Sequence, residues 1–176
     1  MNKQVETILQ AALLDKQEVQ LNLKKLHAHD LIKSALNNIS LQVDQVQGTL
    51  EVNFEAEKDT LLADEVHFTN LVSNLLDNAV KYSKENLTIK ILTQTVGNQF
   101  KLKIEDNGIG MNKETVGRIF EKFYRAHTGN LHNVKGFGLG LSYVKTMVEA
   151  HHGSIKAEST PGKGTCFFLN FPLAKA

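Results

Sequence analysis

Residues 64–83 constrain this chain more than any other stretch. Leu71, Val72, Leu75, Leu76, Ala79 and Val80 recur at helical steps and give a helix one broad apolar face, with Asp64 placed to cap it. Such a face has to be buried, and period-two segments stand on both sides to bury it. Leu50, Val52 and Phe54 alternate before the helix. After it come Leu87, Ile89 and Ile91, then Phe100, Leu102 and Ile104, with Gly97-Asn98 between them as a hairpin turn. Ile155 and Ala157 open another strand, Pro161-Gly162-Lys163-Gly164 turns it, and Cys166 to Phe171 runs back. A second helix carries Leu31, Ala35, Leu36, Ile39 and Val43, with Asp30 as its expected N-cap and Gly48 as its end. Further helices are expected over 113–120 and 139–151, the latter stopping at Gly153. Val19, Leu21 and Leu23 read as a short strand, and residues 3–16 as an amphipathic helix striped by Val5, Ile8, Leu9, Ala12 and Leu13. Residues 122–136 show no periodicity and read as a mobile loop. The sum is an α/β domain in a chain long enough to bury about 70% of its unfolded surface.

Charge and composition close off several function classes. Lys plus Arg is 20 against 19 for Asp plus Glu, a net +1, so the field that would hold a polyanion is missing and a general nucleic-acid binder is not expected. The single cysteine, Cys166, has no partner for an internal disulfide. No apolar run reaches the ~20 residues of a membrane span, and no signal peptide opens the chain, so a soluble domain of a reducing compartment is expected. Among the seven histidines, His27 and His29 have strand-like spacing but no third ligand, and His151 and His152 close a helix, where imidazolium suits the negative end. His127 and His132 fall in the aperiodic loop.

Three segments carry chemistry. In NLLDNAVKYS, Asn74 and Asn78 lie four apart on one helix face, with Lys81 and Tyr82 following. An amide oxygen, a cation and an aromatic on one ridge suit a magnesium-bound polyphosphate with a base and ribose, since magnesium takes oxygen ligands and shares them with substrate phosphates. A solvated polar face is the alternative. In EDNGIGM, Gly108 and Gly110 permit close ligand approach, and Asp106 is placed to accept from the exocyclic amine of a base; an ordinary strand-end turn is the alternative. In KGFGLGLSYVK, Gly136, Gly138 and Gly140 alternate just before a helix whose N-terminal N–H groups suit phosphates. Leu141 stands where the dinucleotide fingerprint needs another glycine, and no P-loop string occurs.

The order of asparagine helix, DNGIGM, IFEKFYRA, GFGLGLS and GKGT resembles the catalytic and ATP-binding domain of bacterial sensor histidine kinases, in the GHKL superfamily with the gyrase, Hsp90 and MutL ATPases. The resemblance implies an α/β (α+β) two-layer sandwich of the Bergerat type: a mixed sheet with helices on one face and a flexible ATP lid. It implies that residues 19–176 form this domain and residues 1–18 end the second helix of a dimerisation and phosphoacceptor domain. Carried onto this sequence, it makes Asn78 the magnesium ligand with Asn74 beside it, sends Lys81 to the phosphates and packs Tyr82 near the adenosine. Asp106 is given the adenine amine, Gly108, Ile109, Gly110 and Met111 shape the pocket, and Thr165 helps seat the base. Lys122 and Arg125 are assigned to phosphate, beside Phe120 and Phe123, which serve equally well as core. Gly136, Phe137, Gly138, Leu139, Gly140 and Leu141 belong to the lid and its hinge.

Where the superfamily's ATPases place a water-activating glutamate, one turn before the magnesium asparagine, this chain has Asn74, which is no general base at neutral pH. Pro161 and Pro172 are the only prolines, and no histidine precedes either at the acceptor-motif spacing. The resemblance therefore implies that Mg²⁺-ATP is held for transfer of its γ-phosphate to a histidine on a separate phosphoacceptor domain of the same receptor. The phosphate would then pass to a response regulator. The parent would be a membrane-anchored homodimer, of which this piece is the cytoplasmic portion and does not span the membrane. A stand-alone ATPase, a protein serine kinase and a degenerate nucleotide-sensing module are the competing readings.

Overall fold

The computed structural model describes residues 19–126 and 138–175. In chain order the elements are β1 (Lys24–His27), α1 (Ala28–Gln45), β2 (Thr49–Phe54), β3 (Thr60–Ala63), α2 (Glu65–Lys81), β4 (Thr88–Val96), β5 (Gln99–Asp106), α3 (Lys113–Arg118), α4 (Gly140–Ala150), β6 (Ser154–Thr160) and β7 (Gly164–Pro172). Five strands form a mixed sheet in the order β2-β4-β5-β7-β6, parallel only between β2 and β4. The alternation read from the sequence decides which side chains face the helices. Ile89 and Ile91, Phe100, Leu102 and Ile104, and Phe167, Leu169 and Phe171 are buried, and they join the apolar faces of α1, α2 and α4 in one core. The two-layer sandwich expected from the motifs is the fold observed.

Three local expectations change. The strand expected at 19–23 begins at Lys24, although Val19 and Leu21 do pack against the core. Its partner β3 carried no periodic signal, because a four-residue strand is defined by what it pairs with: β1 along Lys24↔Ala63, and Leu173 through a bridge to Leu61. Asp30 does not cap α1. The helix starts two residues earlier, its side chain is exposed and paired with Lys33, and the capping comes from Asp59. There the Asp59 carboxylate accepts the His29 N–H at 3.1 Å and its carbonyl accepts the Ala28 N–H at 2.8 Å.

Asp64 caps α2 as expected, accepting from the His67 N–H at 3.0 Å, and its other carboxylate oxygen accepts the Asn22 N–H at 2.8 Å. Its own N–H donates to Nε2 of His151 at 3.0 Å, while Nδ1–H of His151 donates to the Met147 carbonyl at 2.7 Å. His151 is thus a neutral, buried imidazole with both nitrogens assigned, and burial pushes its pKa below the ordinary 6.5. An unfolded chain takes up that proton as pH falls through about 6.5 while the folded one does not, so this site's stabilisation is lost on acidification. His151→Leu is expected to cost about 2 kcal/mol at neutral pH, two hydrogen bonds being lost. Urea denaturation should show that cost shrinking about a pH unit below 6.5; a pH-independent difference would contradict the assignment.

Candidate functional site

At the end of the sheet where β5 stops, a cavity of about 440 Å³ opens between α2, the 106–112 loop, α3 and the first turn of α4. Sheet register builds one wall. Ile89, Asp106, Thr165 and Ser159 are successive cross-strand partners, so Asp106 and Thr165 stand side by side. Oδ1 of Asp106 accepts the Gly108 N–H at 2.8 Å. Burial pushes its pKa up, and the N–H groups of Gly108 and Thr165 work against that rise. The loop after β5 is held from three sides. The Ile109 N–H donates to the Tyr82 carbonyl at 3.0 Å, the Met111 N–H donates to Oγ of Ser159 at 2.8 Å, and the Gly162 N–H donates to the Ile109 carbonyl. Gly110 has φ +67°, and a Cβ there would overlap the Thr160 carbonyl, so the glycine is a steric requirement.

Asn78, Tyr82, Asp106, Ile109, Gly110, Met111, Arg125, Leu141 and Thr165, all singled out in the sequence, line this cavity. Others sit around it. Asn74 donates from Nδ2 to the Asn70 carbonyl at 2.9 Å, and its Oδ1 lies 3.1 Å from where a Cβ on Gly140 would stand, so it abuts the start of α4. Gly108 is buried beneath the loop, where a Cβ would come within 2.5 Å of the Tyr82 carbonyl. Leu139 is buried and precedes α4. Lys81 is not part of the lining; its ammonium lies 2.8 Å from Asp77. Lys122 is exposed and Phe123 is 66% exposed, so Phe123 is neither core nor wall. Instead Phe123, at φ +62°, donates its N–H to the Gly138 carbonyl at 3.0 Å, joining the two ends of the loop. Phe120 packs edge-on against Phe167, as a core reading required. Gly136 and Phe137, and with them most of the expected lid, lie outside the described residues.

The lining also includes Asn112, Thr115, Ile119, Tyr124, Ala126, Pro161 and Phe167. Sequence reading missed these. The IFEKFYRA string did contain Ile119, Tyr124 and Ala126, but nothing in it says which face of the segment meets the cavity. Tyr124 is fixed by the guanidinium of Arg118, 4.4 Å from its ring centroid. Ile109, Met111, Ile119, Leu141 and Phe167 make apolar walls for a planar ring, and Asp106 and Thr165 give those walls a polar edge. An amide from Asn78 and a guanidinium from Arg125 share the same lining. This set fits a base joined to a phosphate chain, with one amide oxygen for a hard cation.

A sandwich with such a cleft is a nucleotide-binding class of fold. The model of the histidine kinase-, DNA gyrase B-, and HSP90-like ATPase family matches residues 63–175, and the chain belongs to that family as an ATP-binding domain homologous to those of sensor histidine kinases. Sensor protein RprX of Bacteroides fragilis (strain YCH46) is 46% identical over 174 residues, covering 98% of this chain and 34% of that protein. The adaptive-response sensory kinase SasA of Gloeothece citriformis (strain PCC 7424) is 31% identical, over 98% of this chain and 44% of its own length. The chain thus spans between a third and a half of these two relatives. Among solved structures, full-length ShkA in complex with AMPPNP aligns over 99% of this chain and 36% of its own, with TM-score 0.85 at 24% identity. Mycobacterial sensor histidine kinase MprB aligns over 85% of this chain and 97% of its own, with TM-score 0.75 at 22% identity. These two likenesses establish the fold.

Proposed function

We propose that this domain holds magnesium-bound ATP and presents its γ-phosphate to a histidine on a separate dimerisation and phosphoacceptor domain, for relay to a response regulator. One observation carries the reading beyond nucleotide binding. Among the described residues lining the cavity Asp106 is the sole carboxylate, and its Oδ1 is engaged by the Gly108 N–H. The position one turn before Asn78 is an amide held against α4. A cavity without a carboxylate to take a proton from water holds ATP without promoting its hydrolysis.

In this reading Asp106 and Thr165 fix the base, Tyr82 packs near the adenosine, and Asn78 offers its amide oxygen to magnesium with Asn74 alongside. Bound magnesium supplies charge neutralisation on the phosphate oxygens. Arg125 and Lys122 share that work, and Lys81 joins it by leaving Asp77. Catalysis then rests on positioning and electrostatics, as phosphoryl transfer allows. Residues 1–18 are assigned to the end of a dimerisation helix, and the parent to a membrane-anchored homodimer with this domain in the cytoplasm. Among the described residues no helix is long and apolar enough to cross a membrane.

The test supplies labelled ATP, magnesium and a separately produced acceptor-helix domain. Label is expected on the acceptor, bound as acid-labile phosphohistidine, with little phosphate released in its absence. Asn78→Ala should abolish the gain that magnesium gives, lowering transfer about 100-fold or more, in the range of a lost charge-stabilising contact. Steady phosphate release by the domain alone would instead make it an ATPase, and failure to bind any nucleotide would leave a docking module.

A further inference from the structure

The hydroxyl of Ser159 is fully committed, and that commitment fixes the polarity of the cavity's recognition edge. A serine hydroxyl has one proton to donate and two lone pairs to accept with. Three groups surround Oγ of Ser159: the Met111 N–H at 2.8 Å, the Gly164 carbonyl at 2.8 Å and Oγ1 of Thr165 at 2.9 Å. An N–H can only donate, so Met111 takes one lone pair. A carbonyl can only accept, so the Ser159 proton goes to Gly164. What remains for the third contact is the second lone pair, and Thr165 must donate to it. The Thr165 hydroxyl, buried and on the cavity wall, has therefore turned its proton away from the cavity. Its neighbour in the same cross-strand row is Asp106, a carboxylate.

We propose that Ser159 is a specificity-determining positioning residue: by taking the Thr165 proton it leaves the Asp106–Thr165 edge with acceptors alone, so the cavity takes a purine with an amine there and rejects one with a carbonyl. Ser159 itself does not line the cavity and acts through Thr165. The inference rests on the nucleotide reading above, and goes beyond it in saying what discriminates between purines. Removing the serine hydroxyl frees the threonine to rotate and donate into the cavity, which a 6-oxo group would accept. A site whose buried polar groups are set to one pattern rejects the opposite pattern steeply, because each mismatched group is left unpaired.

The measurement is the ratio of dissociation constants for inosine triphosphate and ATP, taken by calorimetry on the wild-type domain and on Ser159→Ala. The wild type is expected to prefer ATP by roughly 100-fold or more. In Ser159→Ala the ratio should fall at least about 10-fold, with inosine triphosphate binding more tightly than to the wild type; loosening alone would weaken both nucleotides. Ser159→Thr, which keeps the hydroxyl, should restore the ratio. Ser159→Cys keeps the volume with a poorer acceptor and gives the same readout if the alanine variant does not fold. A discriminating wild type whose ratio survives both Ser159→Ala and Ser159→Cys overturns this inference and leaves the adenine reading standing. A wild type that binds neither nucleotide, or both equally, takes the adenine reading down first.

Discussion

Asp106→Asn is expected to weaken ATP binding about 100-fold, near 3 kcal/mol, while leaving the melting temperature close to that of the wild type. The substitution is isosteric. Its remaining oxygen keeps the Gly108 N–H that Oδ1 now accepts at 2.8 Å, so the loop after β5 holds its shape. That choice turns the new NH₂ group toward the cavity, where it faces the amine of the base donor against donor. The carboxylate sits on the central strand β5, half-buried, and removing its charge also removes a desolvation cost. A nearly unchanged stability with a large loss of affinity is therefore the signature. Calorimetry and thermal denaturation on the same sample would check it; ATP bound at wild-type strength would remove Asp106 from the recognition edge.

Gly110→Ala is expected to destabilise the domain by about 3 kcal/mol or more, and to abolish nucleotide binding in whatever fraction remains folded. Two costs combine. The backbone at φ +67° is one an L-residue adopts reluctantly, and the added Cβ would drive into the Thr160 carbonyl, which is backbone and cannot swing aside. Relief requires the 106–112 loop to move off the end of β6, and that movement breaks the Met111-to-Ser159 bond and the Gly162-to-Ile109 bond. Gly117 offers an internal control, since a Cβ there meets nothing within 4 Å and its replacement by alanine should be tolerated. Equal melting temperatures for the two variants would show that the loop is softer than its contacts imply.

The sequence disclosed the parts of this structure that repeat or that are locally determined. Period-two runs located β4, β5 and β7, the apolar stripe located α2, and Asp64 capped it because a cap needs only the next three residues. What stayed hidden was set by distant partners. Asp59 replaces Asp30 at the start of α1 through bonds between residues thirty positions apart, and β3 exists because β1 and Leu173 are beside it. The site divides in the same way. Asn78, Asp106 and Gly110 stood out by residue type, and the cavity gathers them. Thr115, Pro161 and Phe167 carry no chemical signal and enter only because the chain brings them to the same opening. The side chain of Lys81 shows the limit most clearly: helical spacing placed it one turn after Asn78, but it does not line the cavity, and Asp77, four residues back, holds it.

The double grip of Asp64 has a mechanical consequence. One carboxylate oxygen holds the backbone of Asn22 and the other holds the first turn of α2, so a pull on the chain ahead of β1 loads that helix directly. The helix is 17 residues long, about 25 Å of stiff rod at 1.5 Å per residue. Asn78 and Tyr82 stand at its far end, beside the cavity. The tether and the cavity are thus at the two ends of a single lever.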